Sequence, residues 1–399
     1  MVPAAVSRRA AGGSLKKALF IVALLVVAFC AIPLPVPGGE KRQSWQVSGT
    51  GPLRAGAARV RIELPEHPIL AGYAGHRRAR DTSQPVYARA IAIEAGTART
   101  FVASIDTLLI PPRFWKPDVC GMVAATHTHT GPGGLWDNLA AGWFGAGEPD
   151  ETQRWAVKRA LDEAVRQAEA ALGPAELQMG RELWPQGPAQ VRSGGPIDPE
   201  LAAVRLRRPS GRTIATLVVY AMHPTSADHD VLSADWPGQL DDAGAPTIVL
   251  QGAVGNTTWP RTSSLAQPIA VKIEELLEDA PWLSEAPIEC FASEVSAKPQ
   301  ASRRVPLGLR TAVTNLFGLA FEKTAVQARL RLGPVTLLGV PGEPVGELGL
   351  RARPNVVVGL AGGYLGYVET PDRWEAGGGE SAKTYFGPGL AHTLGLWPQ

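Results

Sequence analysis

Two histidines fall within three residues in the stretch Ala125-Thr126-His127-Thr128-His129-Thr130, which runs into Gly131-Pro132-Gly133-Gly134; the whole chain has only seven. Imidazole changes charge near neutral pH and is the commonest metal ligand, so a close pair suits a metal site or acid–base chemistry. The run Val119 to Ala125 is small and apolar and reads as a buried strand. On a strand, residues i and i+2 share a face, which would project His127 and His129 together. The glycine-rich turn ends the strand and leaves room for a ligand against the backbone. Taken alone, the motif reads equally as two surface histidines at a strand end.

Other segments repeat the pattern of a strand ending in a polar residue and a turn. Val218 to Met222 leads into His223-Pro224-Thr225-Ser226, and Ser233-Ala234-Asp235-Trp236-Pro237-Gly238 follows. Next come Gln251-Gly252-Ala253-Val254-Gly255-Asn256-Thr257-Thr258-Trp259-Pro260, then Pro341-Gly342-Glu343-Pro344, then Gly363-Tyr364-Leu365-Gly366-Tyr367-Val368-Glu369-Thr370. A buried strand presents its terminal side chain rigidly, as a preorganised site requires. His127, His223 and Glu343 would supply two imidazoles and a carboxylate, the donor set of an open catalytic zinc. The separations are long and leave convergence open. His223 could cap a strand, and Glu343 could serve as charge at a helix N-terminus.

In this order, the blocks resemble the neutral, non-lysosomal ceramidase family, zinc amidases that hydrolyse the N-acyl bond of ceramide. That family has a T-H-T-H-S-G-P-G block, a strand ending in His-Pro/Gly-x-Ser, a Gly-Asp/Asn-x-Ser-Pro loop, a Pro-Gly-Glu block and a Gly-Tyr-x-x-Thr block. The resemblance covers about residues 55 to 396. It implies one zinc per chain, held by His127, His223, Glu343 and Tyr367. It implies a catalytic, substrate-contacting role for His129, as general base and then acid toward the leaving amine. Arg192, ahead of Ile197-Asp198-Pro199-Glu200, matches an arginine of the site, and with Tyr367 it would stabilise the oxyanion. Asp106, Asp235 and Asn256 are candidates for orienting the ligating histidines, with turn formation as their plain alternative.

There are departures from the family pattern. Thr258 stands where the family has serine, and Trp259 is inserted before Pro260. The family's C-terminal immunoglobulin-like domain is expected to have no counterpart. The segment between Asp106 and His127 is short and expected to lack a helix, so the lipid pocket is expected to differ. Two other readings stay open. One is a binuclear metal hydrolase of amidohydrolase type, drawing on His223, His229, Asp228, Asp230 and Asp235. The other is an inactive, membrane-anchored binding protein on the same scaffold. One zinc, two metals or none would separate the three.

The elements that must position these residues are short. Gly 44 and Pro 35 in 399 residues imply many turns, and a hydrophobic content of 45% allows a sizeable core. Strands are expected over 57–64, 86–94, 99–109, 201–206, 213–222, 246–251 and 356–360, with a hairpin over 326–340 about Gly333-Pro334. Helices are expected over 151–172, 265–277 and 344–351, the first with Trp155 on its apolar stripe and the last with Pro344 at its first position. The fold class is therefore mixed α/β (α+β): one large catalytic domain with mixed β-sheets and flanking helices.

Net charge is only +2 and no basic stripe carries interleaved aromatics, so nucleic acid is not an expected partner. Residues 1–17 read as a basic N-terminal segment, 18–36 as a signal anchor or signal peptide, 37–54 as a linker and 55–399 as the zinc hydrolase domain. Lys16-Lys17 before the apolar run predicts a membrane-anchored chain with its catalytic domain extracytoplasmic (periplasmic), or secreted if the segment is cleaved. The expected partners are a lipid amide substrate and, through the N-terminal segment, the membrane. Cys120 and Cys290 read either as a pair or as two buried thiols.

Overall fold

The computed structural model describes residues 21, 22, 25, 28–34, 43–114, 119–241, 244–260 and 266–398. The basic segment 1–17 and much of the apolar segment 18–36 lie outside these residues. Among the described residues, no helix is long and apolar enough to cross a membrane.

The first strand, β1 (Ser44–Arg61), bridges two neighbours. Ser44–Pro52 pairs antiparallel with a late strand, and Leu53–Arg61 pairs with β2 (Tyr87–Ala95). Residues 44–54, expected as linker, are therefore sheet. Their Ser, Gln, Thr and Gly composition resembles a linker, but Trp45 and Val47 alternate inward with the period of two that a strand imposes. β2 turns at Gly96 (φ +58°) into β3 (Ala98–Ile105), and β4 (Gly121–Ala125) lies parallel to β3. A disulfide joins Cys120, just before β4, to Cys290 in that late strand.

Two helices follow, α1 (Leu139–Trp143) and α2 (Glu151–Ala170). The Asp150 side chain caps α2 by accepting from Gln153 N at 2.9 Å. Val157, Ala160, Leu161, Ala164 and Ala168 face inward, and α2 packs on β1 and β2. Trp155 does not join this stripe; it is exposed, and its indole donates to Glu151. The helix stops short of Leu172 because Gly173 and Pro174 pair with β1.

A second sheet comprises β5 (Glu176–Leu183), β6 (Glu200–Arg207), β7 (Thr213–Tyr220) and β8 (Thr247–Gln251), in the order β8-β7-β6-β5 with β8 parallel to β7. Ala202, Val204, Leu217 and Val219 point into the core shared with the first sheet. Leu201, Ala203, Val218 and Tyr220 point the other way, toward Ile269, Ile273 and Leu277 of helix α3 (Ala266–Glu278). Burial on both faces explains why these strands read as unbroken apolar runs.

The chain then returns to the first sheet through β9 (Glu285–Ser296), helix α4 (Arg310–Ala320), β10 (Thr324–Leu332), β11 (Val335–Gly339), helix α5 (Gly346–Arg351) and β12 (Val356–Val358). The sheet runs β12-β11-β10-β9-β1-β2-β3-β4, and Cys290 of β9 sits opposite Val47 of β1. Pro344 is not the first residue of α5. It pairs in a short parallel bridge, Glu343–Pro344 with Tyr367–Val368, and Val345 precedes the helix. The pairs β3–β4, β7–β8 and β11–β12 are all parallel. The loops leaving β4, β7, β8, β11 and β12 carry the polar blocks of the sequence.

Candidate active site and metal centre

β4 ends at Ala125, so His127 has left the strand; its φ is +68°. Strand alternation, the expected cause of the histidine pairing, does not operate there. A left-handed turn swings the rings together instead, with centroids 5.0 Å apart. Such a conformation costs a non-glycine residue energy and persists only where its surroundings enforce it. Here His127 N donates to Thr107 O and His129 N to Pro224 O.

His127 Nδ1 lies 2.9 Å from Leu108 O. A carbonyl only accepts, so Nδ1 carries the proton and Nε2 the lone pair. That Nε2 is 3.3 Å from His223 Nε2, and both nitrogens are 3.2 Å from Glu343 Oε2. The other Glu343 oxygen accepts from Tyr364 OH at 2.9 Å. Tyr367 OH is 3.4 Å from His223 Nε2. His129 Nδ1 is turned to Gly72 O at 2.9 Å, which leaves its Nε2 without a partner. Gly72 has φ +119°, and a Cβ there would lie 2.3 Å from His129 O, so only glycine brings this carbonyl so close.

These donors fit a cation. Glu343 Oε2 and His129 Nε2 are buried without hydrogen-bond partners, a costly state for polar atoms unless something binds them. Nitrogens of His127, His129 and His223 lie within 4.8 Å of one another, close enough to hold a metal ion. Burial, with the fields of Arg192 and His127, pushes His223 down to about 4, against the attraction of the Glu343 carboxylate. Burial and the neighbouring histidines likewise hold His129 well below its ordinary range. Burial would raise Glu343, but His127 and His223 prevail and hold it low. Two imidazoles that resist protonation, His129 and His223, beside a carboxylate kept ionised suit a divalent cation.

One consequence is measurable without metal. His223 binds its proton more weakly folded, at about 4, than unfolded, at ~6.5. Its contribution to stability is therefore complete above ~6.5 and is lost as pH falls toward 4, by about 2 kcal/mol at pH 5. The Tm of the metal-free protein is expected to drop between pH 7 and pH 5, and less so in His223→Gln. An identical slope in that variant would rule out His223 as the cause.

Arg192 joins the cluster. Its Nη1 is 3.2 Å from His223 Nε2, and its Nη2 donates to Gly255 O, to Glu380 Oε1 and to Tyr367 OH at 2.7, 2.7 and 3.1 Å. Asn256 supports it indirectly: Arg192 N donates to Asn256 O, while Asn256 Nδ2 donates to Gly194 O and Pro196 O. Asn256 Oδ1 accepts from Gly346 N, which fixes the segment after Glu343. Asp235 accepts from Ser226 and from Ala227 N and shapes the rim. Asp106 is buried against Arg89 and Tyr87 N. Among the described residues none of the three has a hydrogen bond to His127, His129 or His223; the carbonyls of Leu108 and Gly72 orient the rings of His127 and His129 instead.

Tyr364 and Glu380 were not singled out from sequence. Tyr364 sits in the same glycine–tyrosine block as Tyr367 and was open to notice. Glu380 follows Gly377-Gly378-Gly379 with no pattern around it, and backbone carbonyls leave no mark in a sequence. Of the set proposed for a binuclear site, His223, Asp228 and His229 line one cavity, but His229 stacks on Tyr73 at 4.2 Å, and Asp230 pairs with Arg80. A cavity of about 680 Å³ opens onto the cluster, walled by Leu108, Leu109, Phe144, Trp259 and Tyr385. Thr258 also lines it.

Comparison with family models and with curated proteins finds no match. Solved structures do match. Neutral ceramidase from Pseudomonas aeruginosa superposes with a TM-score of 0.73 at 19% identity, over 86% of this chain and 73% of that one. A ceramidase complexed with C2 gives 0.68 at 17% identity, with the same coverage of each chain. The chain thus has the fold of the neutral ceramidases.

Proposed function

We propose that this chain is a zinc-dependent amidohydrolase acting on linear amides, which cleaves the N-acyl bond of ceramide or a related lipid amide. The observation that carries the reading is the meeting of His127, His223 and Glu343, with their donor atoms within 3.3 Å of one another, on the ceramidase fold. His127 and His223 through Nε2, Glu343 through Oε2 and Tyr367 through its phenol oxygen would hold one zinc. A zinc held there would lower the pKa of a water to ~7 and would act as Lewis acid toward the acyl carbonyl.

The protein's own groups do the rest. His129 is neutral and has a free Nε2; it takes the proton of the attacking water and passes it to the amine nitrogen as the C–N bond breaks. Gly72 O keeps the imidazole in the tautomer this needs. Arg192, fixed by Glu380 and Gly255 O, places positive charge beside Tyr367 OH, where the developing oxyanion would lie. Leu108, Leu109, Phe144 and Trp259 offer the cavity an apolar wall for an acyl chain. Metal analysis of the purified chain, paired with a screen of N-acyl amides, tests the whole reading. About one zinc per chain with amide cleavage is expected; two metals or none would overturn it.

We further propose that the body lies outside the cytoplasm. The Lys16-Lys17 flank and the Cys120–Cys290 disulfide support this, since disulfides persist in oxidising compartments. A reporter fused after Gln399 is expected to be active only if it works in the periplasm. Activity of a cytoplasm-only reporter would reverse the assignment.

A further inference from the structure

Gly72 O holds the His129 ring, so whatever holds Gly72 governs that ring. Residues 70–78 fold back on themselves: Leu70 N donates to Arg77 O at 2.9 Å, and Ile69 pairs with Arg78. Ala71 N donates to Gly131 O at 3.0 Å and Gly72 N to Gly145 O at 2.9 Å. The Arg77 side chain reaches back across its own turn. Its Nη1 donates to Ala71 O at 3.2 Å and to His129 O at 3.3 Å, and its Nη2 donates to His229 O. The peptide leading into Gly72 is therefore held at both ends, its N–H by Gly145 O and its carbonyl by Arg77. The guanidinium also lies over the Tyr73 ring, 4.8 Å from the centroid. Tyr73 in turn meets His129 at 5.2 Å and stacks on His229 at 4.2 Å. Gly72 O lies between two groups that the same side chain restrains.

These contacts are a poor source of stability. The donors of Arg77 meet neutral carbonyls, and its Nε is buried without a partner. Asp230, whose field reaches it, pairs with Arg80. Taking a guanidinium from water without a carboxylate beside it costs desolvation. What arginine does supply is geometry. A guanidinium offers several donors in one rigid plane and stacks on an aromatic face. One side chain can thus fix the turn, the backbone of His129 and the loop after His223 in a single relation. A neutral imidazole carries its proton on either nitrogen, and the acceptor it meets selects the tautomer. Arg77 does not line the catalytic cavity; it borders a separate one of about 430 Å³ with His76 and Glu148.

We infer that Arg77 is a positioning residue: it keeps Gly72 O on His129 Nδ1, and so keeps the lone pair of that ring on Nε2. The catalytic consequence rests on the proposed role of His129 as base; the tautomer itself does not. The full chain is labelled with isotopic nitrogen at histidine, and the His129 signals are identified by their loss in His129→Ala. Long-range nitrogen–proton couplings at fixed neutral pH show which ring nitrogen carries the proton. Wild type is expected in the Nδ1–H form. Arg77→Met keeps the stem and removes the donors, and is expected to move a large part of His129 to the Nε2–H form. Its kcat on an N-acyl amide should fall about 10–100-fold, the usual cost of losing a supporting hydrogen bond at a metal site. KM and zinc content should change little, because Arg77 lies outside the catalytic cavity. Arg77→Lys keeps the charge without the planar fork and should fall between the two; it carries the same readings if Arg77→Met does not fold. A purely structural role would lower Tm and leave the tautomer alone, so His129 held as Nδ1–H in the folded variants overturns the proposal. So does an Nε2–H ring in the wild type, or a loss of activity carried by KM alone. A tautomer that shifts in a chain with no amide cleavage at all would keep the positioning role and remove the hydrolase reading.

Discussion

His129→Ala is expected to keep the metal and lose about 10²–10⁴-fold in turnover, whereas His127→Ala loses the metal itself. The two histidines differ in what their free nitrogens face. His127 Nε2 points at His223 Nε2 and Glu343 Oε2 within 3.3 Å, in a cluster of lone pairs. His129 Nε2 has no such partner, although a ring nitrogen of His129 lies within 4.8 Å of nitrogens of His127 and His223. Proton transfer needs a free lone pair near the bound water, not a place in the ligand set. Zinc content and N-acyl amide cleavage measured on the same preparations decide the matter. Equal zinc loss in both variants would make His129 a ligand. Unchanged cleavage in His129→Ala would take it out of the mechanism.

Glu343→Gln is expected to abolish metal binding, while Tyr364→Phe weakens it by about 10–100-fold, the usual cost of losing an outer hydrogen bond to a ligand. Glu343 is the one anionic donor among the proposed ligands, and its Oε2 touches both histidines at 3.2 Å. A neutral amide removes that charge and turns N–H donors toward lone pairs or the cation. Tyr364 holds only the opposite oxygen, at 2.9 Å, so its loss frees the carboxylate to rotate but leaves its charge. Competition against a chelator of known affinity gives both numbers. Wild-type metal affinity in Glu343→Gln would sink the ligand assignment.

Much of this was legible in residue types. The apolar runs of β4, β7 and β8 and the hairpin at Gly333 follow from local pattern, as does the start of α2 at Glu151. What went unread has identifiable causes. β1 begins in a stretch whose polar face made it resemble a linker, and only pairing with β9, more than two hundred residues away, makes it a strand. α4 and the turn before it leave Leu307, Leu309 and Leu319 exposed, so the pattern does not point to a core. Trp155 fits a helical stripe by spacing but falls where α2 meets no partner, so it stays in solvent.

The sequence by itself determined the chemistry on offer: the histidines of one loop, a third before a proline, a carboxylate after Pro-Gly and a tyrosine in a glycine loop. Side-chain type alone sets which atoms can give lone pairs or protons. Only the tertiary structure decided that they meet. His127 and His223 are 96 residues apart, and no local pattern encodes that distance. Parallel pairing within β3–β4, β7–β8 and β11–β12 carries their loops to one place, and a left-handed turn at His127 aims the rings. Backbone carbonyls at Leu108 and Gly72 then choose the tautomers. Every residue has such a carbonyl, so only the path of the folded chain distinguishes these two.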